Sequence, residues 1–200
     1  MANTKANVTF GKPAIGGAIY RAVCSENVTI PTTATESLDS DLKCLGYVSD
    51  DGVHHTMENT EDGIKAWGND IVLMPDVDRT DDFKFTLLEV QNEDVLKAVF
   101  VDSNVTVAAA TTTAPKHISI ASNTTVQPDC VWVIEMLMQG GNPKRIVIPK
   151  GYIMEIGEIV YKDDEAVGYE VTVRGKADVT GNTHYEYMSI GDVVPSGTNT

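Results

Sequence analysis

The chain has few cysteines, few basic residues and no long apolar run, and each shortage argues against a class of protein. Its three cysteines, Cys24, Cys44 and Cys130, are odd in number and widely spaced, which argues against a disulfide framework. No apolar stretch is long enough to span a bilayer as a helix, so we expect no membrane contact. The first residues lack the apolar core of a secretory signal, so we expect folding and assembly in a cytoplasm.

The shortage of basic residues gives the chain a formal net charge of −14, and the acidic excess is greatest in residues 41–100. Tight binding of duplex DNA needs clustered lysine and arginine, so this composition argues against it. Two interpretations of the acidic surface stay open. It keeps the protein soluble, or it forms a surface over which DNA passes without adhering.

The hydrophobic pattern predicts a mainly β protein. Alternating or continuous apolar segments predict strands at residues 83–90, 130–138 and 166–174, and two separate strands at 144–149 and 151–161. Only residues 92–100 have apolar side chains at helical spacing, with Asn92 placed to cap the helix N-terminus. We therefore predict an antiparallel β-sandwich or barrel with one flanking α-helix.

Composition also predicts how the chain is divided. Polar residues 1–17 and 176–200 are expected to be extended terminal arms, and residues 18–175 to be the β domain. Residues 49–70 are expected to be a long hairpin excursion, polar on both sides, which needs another surface to lie on. Asp51-Gly52 lies between two β-prone segments and predicts a hairpin turn.

No catalytic residue, cofactor site or metal site is predicted. His54 and His55 are adjacent and would point to opposite faces of a strand, so they cannot easily share a metal, and His117 and His184 are isolated. The acidic segment 76–82 resembles a calcium loop only loosely, because it lacks the central glycine and the closing glutamate. A solvated acidic turn is the preferred interpretation of that segment.

Four segments, taken together and in order, resemble the phage tail tube protein family. The resemblance extends from about residue 17 to residue 176. The segments are residues 45–52 (LGYVSDDG), 64–68 (IKAWG), 83–89 (FKFTLLE) and 92–97 (NEDVLK). In the family, similar segments form a strand and turn, the end of a long hairpin, a further strand and the single helix.

The resemblance implies a structural virion protein of a long, non-contractile phage tail, without enzymatic activity. Copies of the chain would form stacked, hexameric rings around a channel through which DNA passes without specific binding. Other implied partners are the tape measure protein, the tail terminator and the distal tail or baseplate proteins. The residues expected to make self-assembly contacts lie in and beside the long hairpin: Tyr47, Asp50, Asp51, His54, His55, Ile64 and Trp67.

Two alternative functions are weighed against this one. The first is a tube protein of a contractile injection or secretion machine, which shares the architecture and differs in having a sheath. The second is a carbohydrate-binding β-sandwich in which Trp67 would be the sugar platform.

Overall fold

The structure, a computed structural model, describes residues 3, 5–25, 27–60, 63–73 and 78–191. Asp76 of the acidic segment, residues 61–62 of the predicted hairpin, and residues 192–200 of the predicted C-terminal arm lie outside this part of the chain. The mainly β fold with one α-helix is confirmed for the described residues. In that part of the chain, no helix combines the length and the apolar character needed to cross a bilayer.

The elements are numbered along the chain. The α-helix, α1, is Glu93–Phe100, and short 3-10 helices occupy Lys5–Asn7, Asp102–Asn104 and Gln139–Gly141. The strands are β1 (Lys12–Pro13), β2 (Ile19–Val23), β3 (Lys43–Cys44), β4 (His54–Thr60), β5 (Ile64–Lys65), β6 (Ile71–Leu73), β7 (Asp78–Leu87), β8 (Val105–Ala108), β9 (His117–Ile120), β10 (Cys130–Leu137), β11 (Pro143–Ile156), β12 (Tyr169–Gly175) and β13 (Tyr185–Met188).

Nine of the strands form one antiparallel sheet in the order β3-β2-β10-β11-β12-β7-β4. The two terminal segments join this sheet, because β1 pairs with β10 and β13 pairs with β11. The other four strands form two small hairpins, β5–β6 and β8–β9. Every strand pairing within the described part of the chain is antiparallel.

The central strand β10 is buried on both faces. Trp132 and Ile134 point into the larger apolar cluster, whereas Val131 and Val133 point into a smaller one on the other side. This division follows from the alternation of side chains along a strand. A strand buried on both sides is expected to be a continuous apolar run, as its sequence is.

Helix α1 covers the larger cluster. It begins after Asn92, whose side chain accepts a hydrogen bond from the Asp94 backbone N–H, as the sequence predicted. Val95 and Val99, one turn apart, are buried against Phe85 and the other apolar side chains of the sheet. The helix is thus held both by its cap and by its apolar face.

Strand β11 corrects one prediction. Residues 144–149 and 151–161 were expected to be separate strands, but a single strand runs through Pro149 to Ile156. The β10–β11 register shifts between Cys130 and Trp132, opposite residues 148–151. A bulge of this kind tolerates proline, because the residue in it need not donate a ladder hydrogen bond.

The sheet does not close into a barrel within the described residues, since β3 and β4 lie at opposite ends of the strand order. Residues 45–49 nevertheless link those ends. The Leu45 backbone N–H donates to the Ile19 carbonyl, and Val48 forms an isolated bridge with Leu87 of β7. The link explains how β2 and β7, far apart in the order, contribute side chains to the same apolar cluster.

The same link shows that the predicted hairpin at Asp51-Gly52 is wrong. A turn is present, because the Gly52 N–H donates to the Ser49 carbonyl and Gly52 has a φ of 74°. However, the segments on both sides of it pair with β7 and not with each other. The turn therefore interrupts one edge of β7, and the chain reverses later, between β4 and β7.

Candidate self-assembly surface

Strands β4 and β7, called the ribbon below, form the last strand pair at one edge of the sheet. Their register runs from His54 opposite Lys84 to Thr60 opposite Asp78. Among the described residues β7 is the one strand that pairs with β4, so the outer edge of β4 is open. Such an edge has backbone N–H and C=O groups that can pair with another chain.

The connection between β4 and β7 includes the β5–β6 hairpin, residues 63–73, called the apolar tip below. Its large apolar side chains are more than half exposed, and Trp67 is fully exposed. The exposed apolar side chains are Ile64, Trp67, Ile71, Val72 and Leu73. Consecutive residues of a strand point to opposite faces, so β6 exposes apolar groups on both faces. Concentrations of exposed apolar side chains of this kind mark interaction sites.

The backbone of the tip presents Trp67 at the loop between β5 and β6. The Ala66 N–H donates to the Asp70 carbonyl at 2.8 Å, and the Asn69 N–H donates to the Ala66 carbonyl at 3.0 Å. Gly68 and Asn69 both have positive φ, the left-handed conformation that tight turns need and that glycine and asparagine tolerate best. The turn fixes the backbone position of Trp67, while the indole ring lies in solvent.

Tyr47 lies beside the start of the ribbon. Its side chain is exposed, while its carbonyl accepts from the Leu88 N–H at 3.0 Å and its N–H donates to Glu89 Oε1 at 3.2 Å. Asp50 and Asp51 are exposed in the turn that follows, where both carboxylates accept from the Ser49 hydroxyl. These three side chains are therefore presented to solvent on an ordered backbone.

His54 and His55 differ, as expected for neighbours on a strand. His54 is exposed, but His55 is partly buried beside Asp81 and His184, a group called the His–Asp cluster below. His55 Nε2 lies 3.5 Å from Asp81 Oδ1, and His184 Nδ1 lies 3.2 Å from Asp81 Oδ2. The Thr183 hydroxyl also donates to Asp81 Oδ2. The Asp81 carboxylate is completely buried.

The electrostatics of the cluster favour a charged aspartate and a neutral His55. Burial opposes ionisation of Asp81, but the Thr183 hydrogen bond and the nearby His184 and Arg79 outweigh it, so the pKa of Asp81 is lowered. The pKa of His55 is also lowered, first because burial disfavours its charged form and then because His184 is close.

A family model of phage tail tube proteins matches residues 1–190. The chain belongs to the phage tail tube protein family. It is a structural protein of the phage tail tube, and hence a component of the virion tail. No curated protein matches the chain. Among solved structures, a chain in the cryo-EM structure of the anti-feeding prophage (AFP) baseplate, symmetrised six-fold, has a TM-score of 0.36 and 10% identity over 88% of this chain and 97% of that one.

The seven residues predicted for self-assembly in this tail tube protein fall into two groups. Tyr47, Asp50, Asp51 and the two histidines lie near the start of the ribbon, and Ile64 and Trp67 lie in the apolar tip. Their role in assembly stays a prediction. None of the seven residues lies in β6, although the sequence shows an apolar strand there directly after a polar excursion, which was a signal for an exposed contact.

Proposed function

We propose that this tail tube protein polymerises as stacked hexameric rings into the tube through which phage DNA is ejected, and that it has no enzymatic activity. The observation that supports this most is the apolar tip, five large apolar side chains exposed in a member of the tail tube family. Burial of these side chains against another copy would favour association. In a ring, each tip can contact the same surface of the next copy.

The free energy available from the tip is substantial. Burying one large aliphatic side chain contributes about 1.5–3 kcal/mol, and an aromatic ring covers still more surface. Part of this gain is offset by the loss of translational and rotational freedom on association. A contact in which the tip meets a different surface of the next copy is heterologous, and such contacts either close into rings or continue as open stacks.

The open edge of β4 offers a second contact. A strand from a neighbour can pair with it, and the backbone hydrogen bonds then continue the sheet from one copy to the next. The side chains of β4 are mostly exposed and polar, which keeps this edge soluble before assembly. Edge pairing and burial of the tip are therefore two separate contacts that can hold the same assembly together.

The negative charge suits a channel for DNA. A formal net charge of −14 repels phosphate, so a lumen lined by such copies would let DNA pass without specific binding. Further partners in this proposal are the tape measure protein inside the tube, the tail terminator at one end and the distal tail or baseplate proteins at the other. Assembly takes place in the host cytoplasm.

The deciding experiment is electron microscopy of purified virions and of the concentrated protein, with mass spectrometry of isolated tails. We expect the chain to be the most abundant tail protein and to build rings of six copies. Virion tails that lack the chain would overturn the proposal, as would rings that contain it only at the tail end. A contractile sheath around the tube would assign the protein to a contractile machine instead.

The sugar-binding alternative makes a different prediction. Small-molecule sites are concave and enclose most of the ligand, whereas the Trp67 ring is fully exposed. A glycan array probed with the purified chain should therefore show no binding that a Trp67→Ser substitution removes.

A further inference from the structure

We propose that His55, Asp81 and His184 form a binding site for a divalent transition-metal ion of the zinc class, which ties the β4–β7 ribbon to the C-terminal segment. Two imidazoles and one carboxylate suit such ions. The proposal does not depend on polymerisation.

The antiparallel ladder places two of the ligands on one face. His55 lies directly opposite Phe83, and Asp81 is two residues before Phe83 on β7. Residues two apart on a strand share a face, so His55 and Asp81 are diagonal neighbours on that face. The second imidazole comes from His184, not from the adjacent His54, so the prediction that His184 is isolated is wrong.

The third ligand arrives with the C-terminal segment. A turn in which the Asp178 N–H donates to the Asn182 carbonyl directs residues 183–184 towards the sheet. Gly175 lies opposite Asp81, and a β-carbon at Gly175 would lie 3.1 Å from the Thr183 carbonyl oxygen. The absence of a side chain at Gly175 therefore lets the segment approach closely enough for His184 to reach Asp81.

Two of the three ligand separations are those expected around one ion. Ligands about 2.0–2.1 Å from a tetrahedral zinc ion lie roughly 3.3 Å from one another. The two imidazole nitrogens lie 3.5 Å and 3.2 Å from the Asp81 carboxylate oxygens, and all three ligand atoms lie within 4.8 Å of one another. The widest separation among the three, at most 4.8 Å, would have to shorten towards about 3.3 Å as the imidazoles turn onto a single ion.

Two buried polar atoms in the cluster point independently to a ligand. Asp81 Oδ1 and His55 Nε2 are inaccessible to solvent and have no hydrogen-bond partner among the described residues. The 3.5 Å that separates these atoms is too long for a good hydrogen bond, and Arg79 is equally far from Asp81 Oδ1. Unpaired buried polar atoms are costly, and an ion between them would satisfy both.

The surroundings also resemble those of metal sites. The Phe83 ring stacks on His55 with centroids 4.1 Å apart and meets His184 edge-on, so it shields one side from water. The Thr183 hydroxyl hydrogen-bonds Asp81, which fixes the orientation of the carboxylate. Outer partners of this kind hold metal ligands in position.

The test is zinc binding by the untagged, full-length chain after it has been stripped with a chelator. Isothermal titration calorimetry with zinc chloride at constant pH should give one ion per chain. The melting temperature should rise when zinc is added and fall back when EDTA removes it. His55→Gln, His184→Gln and the nearly isosteric Asp81→Asn should each weaken binding more than about 100-fold, beyond the 10–100-fold that outer partners typically control. Thr183→Val should weaken it by that smaller factor.

His54→Gln is the matched control, because His54 is exposed on the adjacent position of the same strand. It should bind zinc like the unaltered chain. A second readout does not depend on the variants folding: cobalt(II) bound to the unaltered chain should give the strong visible absorption of a four-coordinate site. No zinc or cobalt binding by the unaltered chain would overturn the proposal. So would binding that survives in the folded His55, Asp81 and His184 variants, or that His54→Gln removes equally.

Discussion

Arg145 lies opposite Glu135 in the β10–β11 ladder, and its Nε donates to the Glu135 carboxylate at 2.9 Å. Its terminal nitrogens also donate to the backbone carbonyls of Thr33 and Glu36, at 2.7 Å and 2.8 Å. Arg145 is only 3% exposed. One buried guanidinium therefore holds the segment before β3 against the face of the sheet.

We expect Arg145→Met to lower the free energy of unfolding by about 3–5 kcal/mol, because it leaves the Glu135 carboxylate and two carbonyls without their donor. Urea denaturation followed by circular dichroism measures the loss. Lys162→Met is the control, since Lys162 pairs with Glu165 at an exposed turn, where an ion pair contributes little to stability. Equal losses for the two variants would contradict the assigned role of Arg145.

Gly46 gives a second stability prediction. Its φ is 75°, and a β-carbon there would collide with the Glu89 carboxylate, which accepts from both the Tyr47 N–H and the Asn92 side chain. Gly46→Ala should therefore strain the backbone and displace the link between residues 45–49 and the helix cap. We expect a loss of about 2–4 kcal/mol, the sum of left-handed strain and of the two hydrogen bonds that the displaced Glu89 carboxylate gives up.

Gly52→Ala is the control for Gly46→Ala. Gly52 has nearly the same φ, 74°, but a β-carbon there meets nothing within 4 Å. Its substitution should cost only the backbone strain, about 1–2 kcal/mol. Chemical denaturation of both variants measures the difference, and a Gly46→Ala loss no larger than that of Gly52→Ala would show that the Glu89 contact is unimportant.

The turn before His184 predicts a dependence on pH. The pKa of Asp178 lies well below its ordinary value, because the Tyr185 and Thr180 hydroxyls donate to its carboxylate. A depressed pKa in the folded state gives stability that is fully present above the ordinary value of 3.8 and is lost as the pH falls towards the folded pKa. Asp178→Asn should therefore lower the melting temperature at pH 7, and the gap from the unaltered chain should narrow below about pH 4.

Thermal unfolding monitored from pH 7 to pH 3 tests this expectation. Asp163→Asn is the control, because Asp163 lies in an exposed turn and has no hydrogen-bond partner within the described part of the chain. It should leave the melting temperature nearly unchanged over the whole range. A gap between Asp178→Asn and the unaltered chain that stays constant down to pH 3 would rule out the carboxylate as its source.

Features encoded in neighbouring residues could be predicted from the sequence. The helix was predicted from the spacing of Val95, Leu96 and Val99 and from the cap at Asn92, because caps and periodicity are local. Trp67 was predicted only as a self-assembly contact or a sugar platform, and the structure shows that its ring is fully exposed. Strand pairing is different, since the turn at Gly52 is real but which strands pair beside it depends on β7, far along the chain.

Features that depend on register could not be predicted. The His–Asp cluster exists because the β4–β7 ladder aligns His55 with Phe83, while the C-terminal segment adds His184. No short sequence motif encodes the proximity of these three residues. The burial of Arg145 was also unpredictable, because its carbonyl partners are provided by a loop that the sequence describes only as polar.

The apolar tip gives the prediction closest to function. Trp67→Ser should prevent or strongly reduce tube formation while leaving the fold intact, because the indole is fully exposed in the monomer and contributes nothing to its core. Val179→Ser is the matched control: Val179 is also fully exposed and apolar, but it lies in the turn before β13. Circular dichroism checks folding, and electron microscopy counts tails in lysates of phage complemented with each variant. A fully exposed apolar residue outside a contact is expected to change stability by no more than about 0.5 kcal/mol, so Val179→Ser should give normal tails. Normal tails with Trp67→Ser, or an equal loss of tails with Val179→Ser, would show that the tip is not a specific assembly contact.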